Sequence, residues 1–271
     1  TEWFSNVPSG MRTSLRASTP VSPPARASTL ASMSTSSNAP SPARLDSLTW
    51  PEAAAWFRRD PRLLLPVGTC LQHGPHLPLG ADTIVVERLA RAVSEKTGIL
   101  VAPTLAYGVS SDVERSYAGS ATLERKTLHR VLNELVDSWE RQGLEEIVLM
   151  TAHGYGPHIQ AMAAVVADFV RVRAVDIHAI DLAAFLIGGS EAEHAGEMDT
   201  AILLHLAPEL VREDRVEDGE PGGRILRAVR DEPVPPMGSH GVVGRPSLAT
   251  RESGRRICEY LVDYISRRLD A

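Results

Sequence analysis

Histidines and carboxylates concentrate at a few places in this 271-residue sequence. The first is the stretch 63–82, which reads LLLPVGTCLQHGPHLPLGAD and carries His73, His76 and Asp82. Its prolines and glycines break helical hydrogen bonding, so we expect the two histidines on a stiff loop that follows a buried strand. Imidazoles and a carboxylate held in this way indicate a metal site or an acid–base site.

A second concentration of polar groups is the segment 193–199, EHAGEMD. Glu197 and Asp199 alone could be the solvated first turn of a helix, where the helix dipole favours negative charge. That interpretation leaves His194 unexplained. Together with the first stretch and with His153, the segment supplies the imidazole and carboxylate ligands that suit zinc or manganese.

The other histidines are interpreted as structural. His129, His178 and His205 fall inside predicted helices or a strand, where a hydrogen-bonded or solvated histidine is the simpler interpretation. His158 opens a predicted helix and is expected at the surface. His240 lies in a loop from which it could reach a site.

Helices and short apolar strands alternate along the chain. This alternation predicts an α/β fold, in which a mostly parallel sheet is covered by helices on both faces. Ligand sites in such sheets form beyond the carboxyl ends of the strands. His73, His153 and Asp181 each follow such an end, so we expect them to converge. The predicted helices are 48–57, 84–96, 123–142, 158–170, 198–206 and 252–269, and the predicted strands are 62–67, 99–103, 146–151 and 174–180.

The first 44 residues differ in composition from the rest. Residues 13–43 are almost entirely Ser, Thr, Ala and Pro with scattered Arg, and no acidic residue occurs between Glu2 and Asp46. Such a segment cannot bury enough apolar surface to offset its ordering entropy, so we predict a disordered tail over 1–44 and one folded domain over 45–271. An organellar transit peptide is also rich in Arg and Ser and poor in acids, and this alternative stays open.

Charge and hydropathy exclude several classes of partner. The formal charge of −6 leaves no basic footprint for nucleic acid. No apolar run approaches the roughly 20 residues that span a bilayer. Two cysteines are too few for a disulfide framework, which favours a reducing compartment. We therefore expect a soluble, cytoplasmic protein that binds neither nucleic acid nor membranes.

Four blocks of the sequence resemble the creatininase (creatinine amidohydrolase) family. They are PVGTCLQHGPHLPLGAD at 66–82, AHGYG at 152–156, EHAGEMDT at 193–200 and GVVGRPSLAT at 241–250. The resemblance implies a three-layer α/β/α fold, often assembled as a hexamer. It also implies a small-molecule substrate, commonly a cyclic amide, whose non-peptide C–N bond is hydrolysed with the help of one or two zinc or manganese ions per chain.

Position within these blocks implies roles for individual residues. Asp82 would bridge the two ions, and Glu193 and His194 resemble the pair that closes the active site and moves protons. The implied metal ligands are His73, Asp82, His153 and Glu197.

The chain also departs from the family pattern. Leu71 stands where the family usually has a glutamate ligand, and Tyr155 stands where creatininase itself has another. An apolar side chain cannot coordinate an ion, so one alternative is a divergent member with a depleted metal site that acts as a binding or structural protein. A further alternative is a Cys70 nucleophile beside His73, whose thiolate would need activation by an imidazole.

Overall fold

The structure is a computed structural model that describes residues 44–168, 170–189, 193–219 and 240–270. The predicted tail, except for Arg44, lies outside these residues. None of the helices in the described ranges is long and apolar enough to cross a membrane. The helices are α1 (Trp50–Arg59), α2 (Ala81–Thr97), α3 (Asp112–Arg115), α4 (Arg125–Glu140), α5 (Gly156–Ala163), α6 (Glu197–Leu206) and α7 (Arg251–Leu269), and the strands are β1 (Arg62–Pro66), β2 (Leu100–Val101), β3 (Glu146–Thr151) and β4 (Arg171–Asp176).

The four strands form one parallel sheet in the order β2-β1-β3-β4. The two central strands, β1 and β3, are hydrogen-bonded neighbours along their whole length, from Arg62 beside Glu146 to Pro66 beside Met150. Their carboxyl ends therefore lie side by side. The loops that carry His73 and His153 start from these ends, as the sequence predicts.

Helices cover both faces of the sheet. Leu64 of β1 packs into an apolar cluster with α2, α6 and α7, whereas its neighbours Leu63 and Leu65 pack into a second cluster with α4 and α5. Alternate residues of a strand point to opposite faces, so one run of leucines serves two cores. Each of these fully buried side chains contributes about 2 kcal/mol through its removal from water. The predicted three-layer α/β/α fold is confirmed.

Helix α2 begins earlier than the sequence suggested. The sequence predicted a helix from residue 84, but the helix starts at Ala81 with Gly80 as its N-cap. Asp82 lies inside the first turn and is buried. Its side chain therefore turns away from its own backbone and into the protein.

Strand β4 was predicted in the wrong place. It covers Arg171–Asp176 instead of 174–180, and Ile177–Ala179 form a 3-10 helix in which Asp176 accepts a hydrogen bond from the backbone of His178. An edge strand is hydrogen-bonded to a neighbour on one side only, so β4 accommodates two arginines, Arg171 and Arg173, and lacks the apolar run that marks a central strand. As a result Asp181 is exposed, away from the expected convergence.

Candidate metal centre

Asp82 lies between two histidines at the carboxyl ends of β1 and β3. Its Oδ1 is 3.1 Å from Nε2 of His73, and its Oδ2 is 3.1 Å from Nδ1 of His153. Thr69 donates a hydrogen bond to Oδ2 at 2.6 Å. All three members of the central group, His73, Asp82 and His153, are at most 5% exposed. The structure thus brings together three of the four predicted metal ligands.

The backbone fixes which nitrogen of each ring faces Asp82. The carbonyl of Leu71 lies 3.0 Å from Nδ1 of His73, and that of Val109 lies 3.0 Å from Nε2 of His153. A carbonyl can only accept, so each of these nitrogens carries a proton. The opposite nitrogen of each ring is directed at the carboxylate. Metal-ligating histidines are typically oriented by such bonds to the backbone.

The three groups shift one another's pKa values. Burial lowers the pKa of His73, but the charge and hydrogen bond of Asp82 outweigh burial and raise it to about 9. The pKa of His153 is raised in the same way, against burial, chiefly by its hydrogen bond to Asp82. Burial acts to raise the pKa of Asp82, yet the two imidazoles hold it well below its usual range.

The geometry of the central group fits divalent ions. Two ligands bound to one tetrahedral zinc ion at about 2.05 Å lie roughly 3.3 Å apart. Both nitrogen–oxygen pairs, at 3.1 Å, are close to that spacing. Within the described residues no three His, Cys, Asp or Glu side chains surround a single ion position. The two pairs instead share Asp82, whose role as a bridging carboxylate stays a prediction.

Leu71 and Tyr155 do not extend this ligand set. The Leu71 side chain is fully buried in the core, so it adds no donor atom. Tyr155 is the N-cap of α5, and its ring centroid lies 6.1 Å from that of His153. Two carboxylates expected in the family are therefore absent from this site.

His194 joins the central group from a distant segment. Its ring centroid is 4.6 Å from that of His73, and its Nε2 lies 2.9 Å from both the carbonyl and the side-chain nitrogen of Gln72. Burial and the neighbouring His73 lower its pKa. The backbone of His194 pairs with Val243 in both directions, which fixes the height of the ring beside the site.

The carboxylates of Glu193 and Glu197 accept hydrogen bonds from backbone amides. Glu193 accepts hydrogen bonds from the N–H groups of Glu197 and Met198 at the start of α6, and burial raises its pKa to about 7. Glu197 accepts from Ile187 and Gly188, both at 2.7 Å. Both oxygens of Glu197 are therefore engaged away from Asp82, and its role as a metal ligand stays a prediction.

Two further acids near the site received no role from the sequence. Glu114, which is 4% exposed, places Oε1 4.0 Å from Nδ1 of His194. The pattern Ser111-x-x-Glu114 is a capping box, which could have predicted this short helix from the sequence. It could not have predicted that the Glu114 side chain is directed at His194. Asp199 accepts from the backbone of Ala195 at 2.8 Å, and its charge raises the pKa of His73.

Two other histidines lie behind the site. His76 is fully buried and its Nε2 lies 2.9 Å from Oγ1 of Thr200, so it connects its loop to helix α6. His158 is also fully buried, and its ring meets that of His153 edge to face at 5.1 Å. The prediction that His158 is a surface residue is wrong, because the backbone at Gly108 approaches closely enough to cover it.

Comparison with known proteins identifies the family to which the chain belongs. The family model described as Creatininase: Creatinine amidohydrolase matches residues 46–269. The chain belongs to the creatininase family.

Relatives in this family carry several names. A mycofactocin precursor peptide peptidase of Mycobacterium ulcerans is 34% identical over 217 residues, which are 75% of this chain and 82% of the relative. A creatinine amidohydrolase of Pseudomonas putida is 30% identical over 246 residues, which are 81% of this chain and 93% of the relative. The relatives thus include hydrolases named for a peptide and for a small cyclic compound.

Solved creatininase structures share the fold. One named Creatininase Mn has a TM-score of 0.72 at 27% identity and covers 83% of this chain and 96% of its own. A mutant creatininase of Zn-Zn type has the same TM-score at 26% identity, with the same coverage. Members of this fold are therefore named with manganese and with a pair of zinc ions.

Proposed function

We propose that this creatininase-family protein is a metal-dependent amidohydrolase that hydrolyses an amide C–N bond by attack of water. The observation that carries the proposal is the carboxylate of Asp82 between His73 and His153, with the tautomer of each ring set by the backbone. The family membership and the names of the relatives support it.

The central group would hold zinc or manganese, one or two ions per chain. His73 and Asp82 would form one pair of ligands, and His153 and Asp82 would form the other, a role supported by the two short nitrogen–oxygen contacts. A divalent ion bound there supplies Lewis-acid chemistry and lowers the pKa of water. The buried surroundings exclude bulk water, which strengthens the electrostatic interactions of every charged group in the site.

His194 is the better placed of the two predicted proton carriers. Its ring lies beside His73 and faces the carboxylate of Glu114, which can stabilise the protonated imidazole. We propose that His194 protonates the leaving nitrogen. Glu193 is tied to the start of α6, where it holds the main chain that follows His194, and it remains the alternative donor because its raised pKa keeps it partly protonated near pH 7.

The proposed substrate is a cyclic amide or a related small molecule with a non-peptide C–N bond. The name of the Pseudomonas putida relative supports this class. The name of the Mycobacterium ulcerans relative makes a short peptide the competing class. Screening metal-loaded protein against cyclic amides, formamides, ureas and short peptides distinguishes the two classes.

Metal content tests the proposal before any substrate is known. Purified protein, loaded with zinc or manganese and then dialysed, is expected to retain between one and two ions per chain by elemental analysis. A content below about a tenth of an ion per chain after loading would rule the proposal out. His73→Ala and His153→Ala are each expected to lower the content, whereas His205→Ala, in the last turn of α6, serves as a matched control.

A binding or structural protein without hydrolytic activity is the second candidate. It is favoured by Leu71 and Tyr155, which supply no carboxylate, because an ion there would be held by only one imidazole and one shared carboxylate of the central group. Stoichiometric metal without turnover of any amide, lactam or peptide would support this candidate over the hydrolase.

We also propose that the protein is a cytoplasmic homo-oligomer, a hexamer by its family resemblance. Light scattering coupled to size-exclusion chromatography gives the number of chains directly. Both cysteines, Cys70 and Cys258, are free, as suits a reducing compartment.

A further inference from the structure

The backbone of one residue, Val109, connects two buried histidines behind the central group through the peptide units on its two sides. The N–H of Val109 donates to Nδ1 of His158 at 3.2 Å, and the carbonyl of Val109 accepts from Nε2 of His153 at 3.0 Å. A backbone N–H can only donate, so Nδ1 of His158 is the acceptor and the proton of this ring lies on Nε2. The backbone of Val109 is therefore held by His158, and it in turn orients the ring of His153.

A second connection runs through a hydroxyl group. Nε2 of His158 lies 3.1 Å from Oγ1 of Thr151, and the same oxygen accepts the backbone N–H of His153 at 3.1 Å. Thr151 is fully buried, so water does not compete for these bonds. His158 thus contacts the surroundings of His153 from two sides, one leading to its ring and the other to its main chain.

Close approach of the backbone makes this arrangement fit. A Cβ atom at Gly108 would lie 2.6 Å from Nδ1 of His158 and 2.8 Å from the carbonyl oxygen of Gly68. Only glycine leaves room for the chain to pass between them. The backbone at Gly108 therefore packs directly against the His158 ring, which limits the orientation of the Gly108–Val109 peptide unit.

We propose that His158 is a positioning residue that keeps Nδ1 of His153 directed at Asp82, by holding the backbone N–H of Val109 and the Thr151 hydroxyl. The proposal deepens the proposed function, because the position it controls is that of a metal ligand. If His158 were replaced by an apolar residue, the Val109 N–H would lose its acceptor, and the two peptide units beside Val109 would keep only their bonds to Thr122 and Leu123 on the other side. The Nε2–H of His153 would then lose a fixed partner.

A matched pair of variants tests this role. Leucine and asparagine have nearly the same shape, but only asparagine offers an oxygen close to the position of Nδ1 for the Val109 N–H. In His158→Leu we expect the slowly exchanging Nε2–H proton of His153 to disappear from the NMR spectrum of histidine-labelled protein. We expect zinc affinity, measured by competition with a chromophoric chelator, to fall by at least about tenfold. In His158→Asn the proton should persist, and affinity should stay within about threefold of wild type.

The outcomes separate positioning from simple packing. If the leucine and asparagine variants lose affinity equally, or if the leucine variant keeps the His153 proton, the proposal is wrong. Should neither variant fold, the wild-type protein decides the matter through scalar coupling between the Val109 amide nitrogen and Nδ1 of His158. Detection of that coupling supports the proposal, and its absence overturns it.

The experiment also distinguishes this inference from failure of the proposed function. The His153 proton and the scalar coupling are measured on metal-free protein, so they need neither bound zinc nor a substrate. If the wild-type protein bound no zinc, the metal-dependent hydrolase would be refuted. If the His153 proton were still lost in His158→Leu and kept in the wild type and in His158→Asn, the positioning role would stand.

Discussion

The carbonyl oxygen of Leu71 lies 3.0 Å from Nδ1 of His73. The residue that lacks the family's carboxylate therefore still acts on the site, through its main chain. Its N–H donates to the carbonyl of Leu79 at 2.8 Å, which closes the loop on itself. The side chain of Leu71 is fully buried, while its main-chain carbonyl orients His73.

Restoring the carboxylate should make stability depend on metal. In Leu71→Glu a carboxyl group replaces a buried apolar side chain, and we expect the metal-free protein to lose at least about 2 kcal/mol of unfolding free energy. Zinc should recover most of that loss and raise the metal content. Thermal unfolding with and without zinc measures both effects. Leu71→Gln, which has the same shape without the charge, is the control, and equal responses of the two variants to zinc would argue against a ligand position.

The charge of Glu114 should matter for turnover and little for folding. Glutamine at this position can still accept from the backbone and hydroxyl of Ser111, so we expect Glu114→Gln to change the unfolding free energy by less than about 1 kcal/mol. Losing the negative charge beside His194 should lower kcat about tenfold or more. Glu124→Gln, an exposed position near the same loop, should leave kcat unchanged. Unaltered turnover in Glu114→Gln would remove Glu114 from the proton-transfer scheme.

Glu193 should make the folded state less stable as pH rises. Burial raises its folded pKa to about 7 from the ordinary 4.5, with further contributions from Asp199 and Glu197. Between these two values the folded state binds more protons than the unfolded state, so the unfolding free energy falls as pH rises through that window, by up to roughly 3 kcal/mol. Denaturant unfolding at pH 5 and pH 7.5 should show this decline in wild type and a smaller one in Glu193→Gln. An identical decline in the variant would show that other groups cause it.

Glu197 offers a choice between two roles that one pair of variants resolves. Its two bonds to the amides of Ile187 and Gly188 predict that Glu197→Ala loses about 2 kcal/mol or more of stability. Glutamine keeps one acceptor oxygen and should cost less. If Glu197 only anchors this loop, zinc affinity in Glu197→Gln stays within about threefold of wild type. A loss of affinity beyond about tenfold would establish Glu197 as a ligand, as the family resemblance implies.

Cys70 is expected to be dispensable. The thiol is half-buried and lies 3.6 Å from the carbonyl of Gly119, to which a serine hydroxyl could also donate. Cys70→Ser should therefore keep full amide hydrolysis in the metal-loaded protein. Abolished activity together with normal metal content would revive the thiol nucleophile.

The sequence predicted those parts of the site that depend on local pattern. His73 and His153 each follow a short apolar run that ends in a glycine-rich turn, and such runs are typical of central parallel strands. Because β1 and β3 are neighbours in the sheet, His73 and His153 lie close together. The structure places Asp82 beside His73, inside the first turn of α2 instead of before the helix, because its carboxylate bonds to side chains of other segments and does not cap its own helix.

The remaining parts depend on contacts between distant segments. His194 meets Gln72 across 122 positions of the chain, and no periodicity in the sequence encodes that pairing. The direction of Glu114 depends on how its short helix packs over His194. His158 looked like a surface residue because it opens a helix next to a proline, whereas its burial depends on the absence of a side chain at Gly108.

Ala195 adopts a φ of 53°, which side chains with a Cβ atom rarely take, at a position that is fully buried between His194 and the start of α6. Left-handed geometry tolerates glycine, asparagine and aspartate far better than branched residues. Burial removes the space that the two polar residues would need. In a saturation library at this codon, functional clones should therefore be confined to alanine and glycine, and the first turn of α6 would be among the least mutable surroundings of the site.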